Sequence, residues 1–137
     1  MQHETRVVQV RQIMQGLASL PGGGNVDVIS RKFPRVGPAE PGTPYQVSTQ
    51  SFPVQEIPAA PTLSQDTDEV IIRLSGTLDE PQKRDSLVDQ LHALFGKPEL
   101  RSKWDVRTSF RTNGYPQLTY ELTIISSAQT AWAGPLA

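Results

Sequence analysis

The chain has no cysteine, only two histidines, no excess of either charge and no long apolar run. Each absence closes off some chemistry. Without cysteine there is no disulfide framework and no thiolate nucleophile or ligand, a usage that suits a reducing compartment. Crossing a bilayer as a helix takes about 20 consecutive apolar residues, and the opening MQHETRVVQVRQ lacks the continuous apolar core of a signal peptide. The expectation is therefore a soluble protein made in the cytoplasm, with no membrane partner. The 13 basic and 14 acidic residues leave a net charge of -1. Coating nucleic acid by bulk charge needs many local cations, so any such contact must come from a restricted patch. Apolar residues make up 36% of 137, one domain's worth of chain with a lean core. A lean core points to burial shared with a partner chain.

Groups suited to catalysis are just as scarce. His3 lies near a terminus, and His92 has no second histidine or spaced carboxylate nearby to complete a metal site. Asp66, Asp68 and Glu69 lack the spacing and glycine of a calcium loop and read as a solvated turn entering a strand. None of the serines sits in a nucleophile elbow. Gly22-Gly23-Gly24 lacks the Lys-Ser/Thr ending of a phosphate loop and reads as a turn. These residues give no reason to expect an enzyme, a metal, a cofactor or a small-molecule substrate.

The clearest signal present is a strand-to-helix unit over residues 69–98, EVIIRLSGTLDEPQKRDSLVDQLHALFGKP. Val70, Ile72 and Leu74 alternate with Ile71, Arg73 and Ser75, the period of a strand. Gly76 is expected to end it. A helix is predicted over 79–95, capped by Thr77 or Asp79, with Glu80 and Pro81 in its first turn. Leu87, Val88, Leu91, Leu94 and Phe95 form its apolar stripe, and Gly96 and Pro98 stop it. Residues 99–103 suggest one further helical turn.

Elsewhere the pattern favours strands. Residues 5–14 admit two readings: Val7, Val10, Met14 and Leu17 would line a helical face, but the β-branched VVQV run favours a strand. Residues 25–33 (NVDVISRKF) and 45–54 (YQVSTQSFPV) alternate as strands, with Pro53 marking an edge or a strand end. Residues 34–62 hold seven of the twelve prolines and are expected as ordered loops resting on this chain or a neighbour. Residues 104–112 and 117–126 read as a hairpin across Asn113-Gly114. Its apolar face would carry Trp104, Val106, Phe110, Leu118, Tyr120, Leu122 and Ile124. In the tail, Trp132 and Leu136 are too apolar for a free end and are expected to dock. Strands that do not alternate with helices imply an α+β fold with a mainly antiparallel sheet, residues 1–137 forming a single domain.

The polar side of that sheet is the candidate functional surface. Arg73, Arg107 and Arg111 would project from it, with Lys103 nearby and with Thr49, Ser51, Ser109, Thr119 and Thr123 offering neutral hydrogen-bonding groups. Such a mixture can hold RNA phosphates and unstacked bases. The plainer reading is that these are solvent-facing residues, the arginines paired with Asp105 or Glu121 across the hairpin.

The order of residues 26–98 resembles the coat proteins of single-stranded RNA bacteriophages. NVDVISRKF, YQVSTQSFPV and EVIIRLSGTL stand where that family has successive antiparallel strands. DEPQKRDSLVDQLHALFG stands where it has a helix that packs over a partner subunit, and KPELRSKW where its second helical segment begins. The hairpin at 104–126 departs from that order and implies a rearranged one, with the outer hairpin at the C-terminal side. The resemblance implies a homodimer with a shared sheet, Leu87, Leu91, Leu94 and Phe95 carrying the interface. It further implies assembly into a shell within a virion, loops 34–44 and 55–66 between dimers, and packaged RNA held by Arg73, Arg107, Arg111, Thr49 and Thr119. The competing expectation is a small α+β binding or accessory module of a larger assembly, without RNA.

Overall fold

The computed structural model describes residues 3–33, 35–36, 40–41, 45–56, 62–65, 67–112, 114 and 117–127. Its elements are helices α1 (His3–Leu17) and α2 (Lys83–Phe95), and strands β1 (Gly23–Lys32), β2 (Arg35–Val36), β3 (Glu40–Pro41), β4 (Tyr45–Pro53), β5 (Glu69–Leu78), β6 (Asp105–Thr112) and β7 (Leu118–Ser127). Five strands form one sheet in the order β4-β1-β5-β7-β6, every neighbouring pair antiparallel. β2 and β3 make a separate two-stranded ribbon. The fold is α+β with a mainly antiparallel sheet.

Period-two alternation gives the sheet two different faces. Val26 and Val28 of β1, Val70, Ile72 and Leu74 of β5, and Tyr120, Leu122 and Ile124 of β7 point to one side and join a single core cluster. That cluster also contains Val10, Ile13, Met14 and Leu17 of α1 and Leu87, Leu91 and Leu94 of α2. Both helices therefore cover the same face. They meet at Gly16, where an added Cβ would come within 2.6 Å of the Leu94 side chain.

The first element corrects the expected strand at residues 5–14. Arg6, Gln9, Val10, Ile13, Met14 and Leu17 are buried at three- and four-residue steps, while Val8, which a strand would pair with Val10, is 57% exposed. Burial of this stripe outweighs the small helix penalty of the valines. Long-range hydrogen bonds fix the helix: Arg6 Nη1 donates to Thr67 O at 2.6 Å, and Gln9 Nε2 to Glu99 O at 3.0 Å. The indole Nε1 of Trp104 donates to Gln9 Oε1 at 3.0 Å. Burial lowers the Arg6 pKa from its ordinary value, opposed by the nearby charge of Asp68.

The strand-to-helix unit is also rearranged at its joint. β5 runs through Gly76 to Leu78, and α2 begins at Lys83 rather than at residue 79. Gly76 is a point of close approach: a Cβ there would meet the Tyr120 ring at 2.7 Å and would also collide with Gly22 O. Neither Thr77 nor Asp79 caps the helix; the N-cap is Gln82, without a side-chain bond, and Asp79 instead accepts from Lys83 Nζ at 2.7 Å. The stop at Gly96 holds, its N–H donating to His92 O at 2.9 Å. Residues 97–103 form hydrogen-bonded turns, Arg101 N–H donating to Lys97 O at 2.9 Å and Lys103 N–H to Leu100 O at 3.1 Å, anchored by fully buried Leu100. Pro53 is the last residue of edge strand β4. Asn113, Trp132 and Leu136, most of loop 34–44, and residues 57–61 and 66 of loop 55–66 lie outside the described residues.

Two outcomes are expected from the Gly76–Tyr120 contact. Gly76→Ala should lower stability by about 1–3 kcal/mol, the usual cost of overpacking, as a lower urea midpoint at unchanged slope. A wild-type midpoint would show that ring and strand are not in close contact. Burial also pushes the Tyr120 phenol up to about 12. The unfolded chain then loses this proton at lower pH than the folded one. Stability present below the ordinary tyrosine pKa should therefore fall as pH rises from there toward 12, and Tyr120→Phe should lose less stability than the parent over that interval.

Candidate interaction surfaces

The face opposite the helices collects the polar half of every strand. Register places Ser51, Asp27, Arg73, Thr123 and Arg107 in one row across the sheet. Along the strands on one side lie Ser75, Glu121 and Ser109, and beyond them Thr77, Thr119 and Arg111. On the other side the row reads Thr49, Ile29, Ile71, Ile125 and Asp105. The five residues expected at a binding surface, Arg73, Arg107, Arg111, Thr49 and Thr119, thus share one face. They do not converge: Arg73 and Arg107 are two strand spacings apart, about 10 Å, and Thr49 is on the far edge, about 19 Å from the β6 strand.

The electrostatics of this face are balanced. Arg111 Nη2 lies 3.5 Å from Glu121 Oε1, a pairing across the hairpin as the plainer reading anticipates, whereas Arg107 Nε lies 3.1 Å from Asp105 Oδ2 on its own strand. Arg31 Nη1 sits 3.1 Å from Glu69 Oε1, close enough for an ion pair though not aligned as a hydrogen bond. Asp27 accepts a 2.7 Å bond from Ser51 Oγ. Arg73 is exposed and makes no ion pair among the described residues. It borders a polar basin of about 540 Å³ lined by Asn25, Asp27, Ser75, Glu121 and Thr123. The arginine is legible in the sequence but its surroundings are not, because the β1–β5 register that brings Asp27 beside it is set by tertiary pairing.

The face is not uniformly wet. Ile29 and Ile71 are 9% and 5% exposed although they point away from the helix-covered core. They form a cross-strand pair next to half-buried Ile125.

A second surface lies on the helix side, at the β6 edge of the sheet, which no described strand extends. A groove of about 520 Å³ runs between α2 and β6, its apolar walls Val88, Leu91, Phe95, Val106 and Phe110. The Arg84 guanidinium stands 4.7 Å above the Phe110 ring, which leans on Tyr120 at a centroid separation of 6.4 Å. The residues expected at a dimer seam divide here. Leu87, Leu91 and Leu94 are 0%, 5% and 6% exposed within this chain's own core, where α2 packs on the sheet. Phe95 is half-buried and lines the groove.

Among the described residues no group of three or more His, Asp or Glu is placed to hold a metal ion. No described helix is long and apolar enough to cross a membrane. The chain matches no family model, no curated protein and no solved structure.

The contrast among the arginines can be tested by stability. Arg73→Ala should stay within about 0.5 kcal/mol of wild type, as exposed unpaired positions do. Arg31→Ala, which removes the cation beside largely buried Glu69, should cost about 1 kcal/mol. Equal losses in parallel urea titrations would overturn this placement.

Proposed function

We propose that the protein is a structural, self-associating coat protein, resembling those of single-stranded RNA bacteriophages. In this reading it forms a virion shell and turns its polar sheet face toward packaged RNA. The observation that carries the reading is the two-layer arrangement: both described helices cover one face of the sheet, and the opposite face gathers Arg73, Arg107, Arg111, Thr49 and Thr119. Helices on the outside and a polar sheet within is a workable layout for a shell wall. Arg73 is the arginine available to a phosphate, and the hydroxyls around it suit backbone and sugar contacts. A balanced face fits a shell that grips RNA locally, because each neutralised phosphate needs only a nearby cation. Association then falls to sheet edges and to the α2–β6 groove, since the α2 leucines are already covered. Nothing in this reading requires a cofactor, a metal or a small-molecule substrate.

One observation favours a different class. Three arginines of the face already stand beside carboxylates, which suits a protein-binding accessory module without RNA.

Light-scattering size exclusion of the purified protein, recorded at the nucleic-acid and protein absorbance bands and followed by negative stain, separates the two. Closed particles with excess nucleic-acid absorbance are expected. Replacing Arg73, which lies on the central strand away from the sheet edges, by glutamate should lower that excess severalfold while particles persist. A single species of one or two chains' mass, free of nucleic acid, would overturn the coat reading in favour of the accessory module.

A further inference from the structure

We infer that two copies join edge to edge through β6, antiparallel about a two-fold axis at Thr108, so that one sheet runs through both. This deepens the association proposed above and rests on it only for the premise that copies bind each other.

The two sheet edges are not equivalent. β4 ends in Pro53, and its Gln50 Nε2 donates to Thr62 O, which brings Thr62 alongside it. β6 contains no proline and no bulge, and no described strand pairs with its outer side. An edge without proline or bulge can template another strand, and its charges restrict which strand that can be.

The sequence of β6 then selects both the partner and the register. In antiparallel pairing about an axis normal to the sheet, directly opposed residues share a face, so the axis must pass through a residue. Only Thr108 and Ser109 as centres pair nearly the whole strand. An axis at Ser109 sets Arg107 opposite Arg111 twice, like charges in direct opposition. With the axis at Thr108, Asp105 faces Arg111 of the second copy and Arg107 faces Ser109, on the polar face. On the helix side Val106 faces Phe110, beside the groove that Val88 and Phe95 line. DVRTSFR is thus its own complement read backwards, in charge on one face and in apolar contact on the other. That self-complementarity names a second copy as the occupant rather than an unrelated chain. The α2–β6 groove gains as cover the Val106 and Phe110 of the second copy, where one chain leaves it open.

Because the protein has no cysteine, single introduced cysteines report the axis directly. Opposed positions lie about 4.5–5.5 Å apart between Cα atoms, within disulfide reach, and diagonal ones about 7–8 Å, beyond it. Thr108→Cys, Arg107→Cys and Ser109→Cys are each oxidised mildly and run on non-reducing gels, with circular dichroism confirming that each variant is folded. The expected result is a covalent dimer for Thr108→Cys alone. Cross-linking at Ser109→Cys or Arg107→Cys instead would overturn the register. If none cross-links while light scattering still finds dimers or larger particles, the seam lies elsewhere and the association stands. If the unmodified protein is monomeric, both fall.

Discussion

The Tyr120 ring lying against Gly76 is the constraint on which the rest of the structure depends. A ring can sit there only because the central strand lacks a side chain at that point. The contact fixes β7 on β5, and the Tyr120 hydroxyl donates at 3.0 Å to Pro21 O in the turn between α1 and β1. Gly22 follows with φ of 69° and accepts from Thr77 N–H at 3.1 Å, tying that turn to the end of β5. On its outer side the ring supports Phe110, and so one wall of the groove. A small residue in the central strand thereby couples the N-terminal turn, the C-terminal hairpin and the β6 edge of the sheet.

How far the sequence announces this depends on the range of the interactions. The hairpin faces were legible because each alternates over its own strand, and Val106 does oppose Ile124 as Phe110 opposes Tyr120. The α2 stripe was legible for the same reason, since Leu87, Leu91 and Leu94 repeat at helical spacing and are buried. Gly76 was misread as a stop because its real cause, a ring from 44 positions further on, is not a local pattern. Residues 5–14 went wrong where two periodicities overlapped, and only packing against the sheet chose the helical one. Of the candidate surface, the common face of the arginines could be read from period two. The Arg111–Glu121 pair was within reach of that reading, but the pairing of Arg31 with Glu69 and the lack of an ion pair at Arg73 among the described residues were not. Those follow from rotamers and from the placement of β1 beside β5.

The two faces divide the work of the chain. The helix-covered face holds the main core, and with it the α2 leucines that the phage-coat resemblance assigned to a partner. The opposite face keeps its charges in neighbouring opposite-sign pairs, which gives it little long-range field. Recognition there depends on shape and short-range hydrogen bonding more than on attraction from a distance. An edge strand whose residues complement themselves provides a contact that needs neither face.

The way α1 is held has a consequence for the order in which the chain folds. Its Gln9 bonds reach 90 and 95 residues ahead, its Arg6 bond 61, and the turn behind it is tied to Tyr120 across 99. α1 leaves the ribosome well before any of these partners. It must then wait, with Val10, Ile13 and Met14 uncovered, until the hairpin has emerged. Contacts of such span close slowly, so docking of the first helix belongs to the end of folding, and the waiting stripe is where a chaperone, or another nascent chain, would attach.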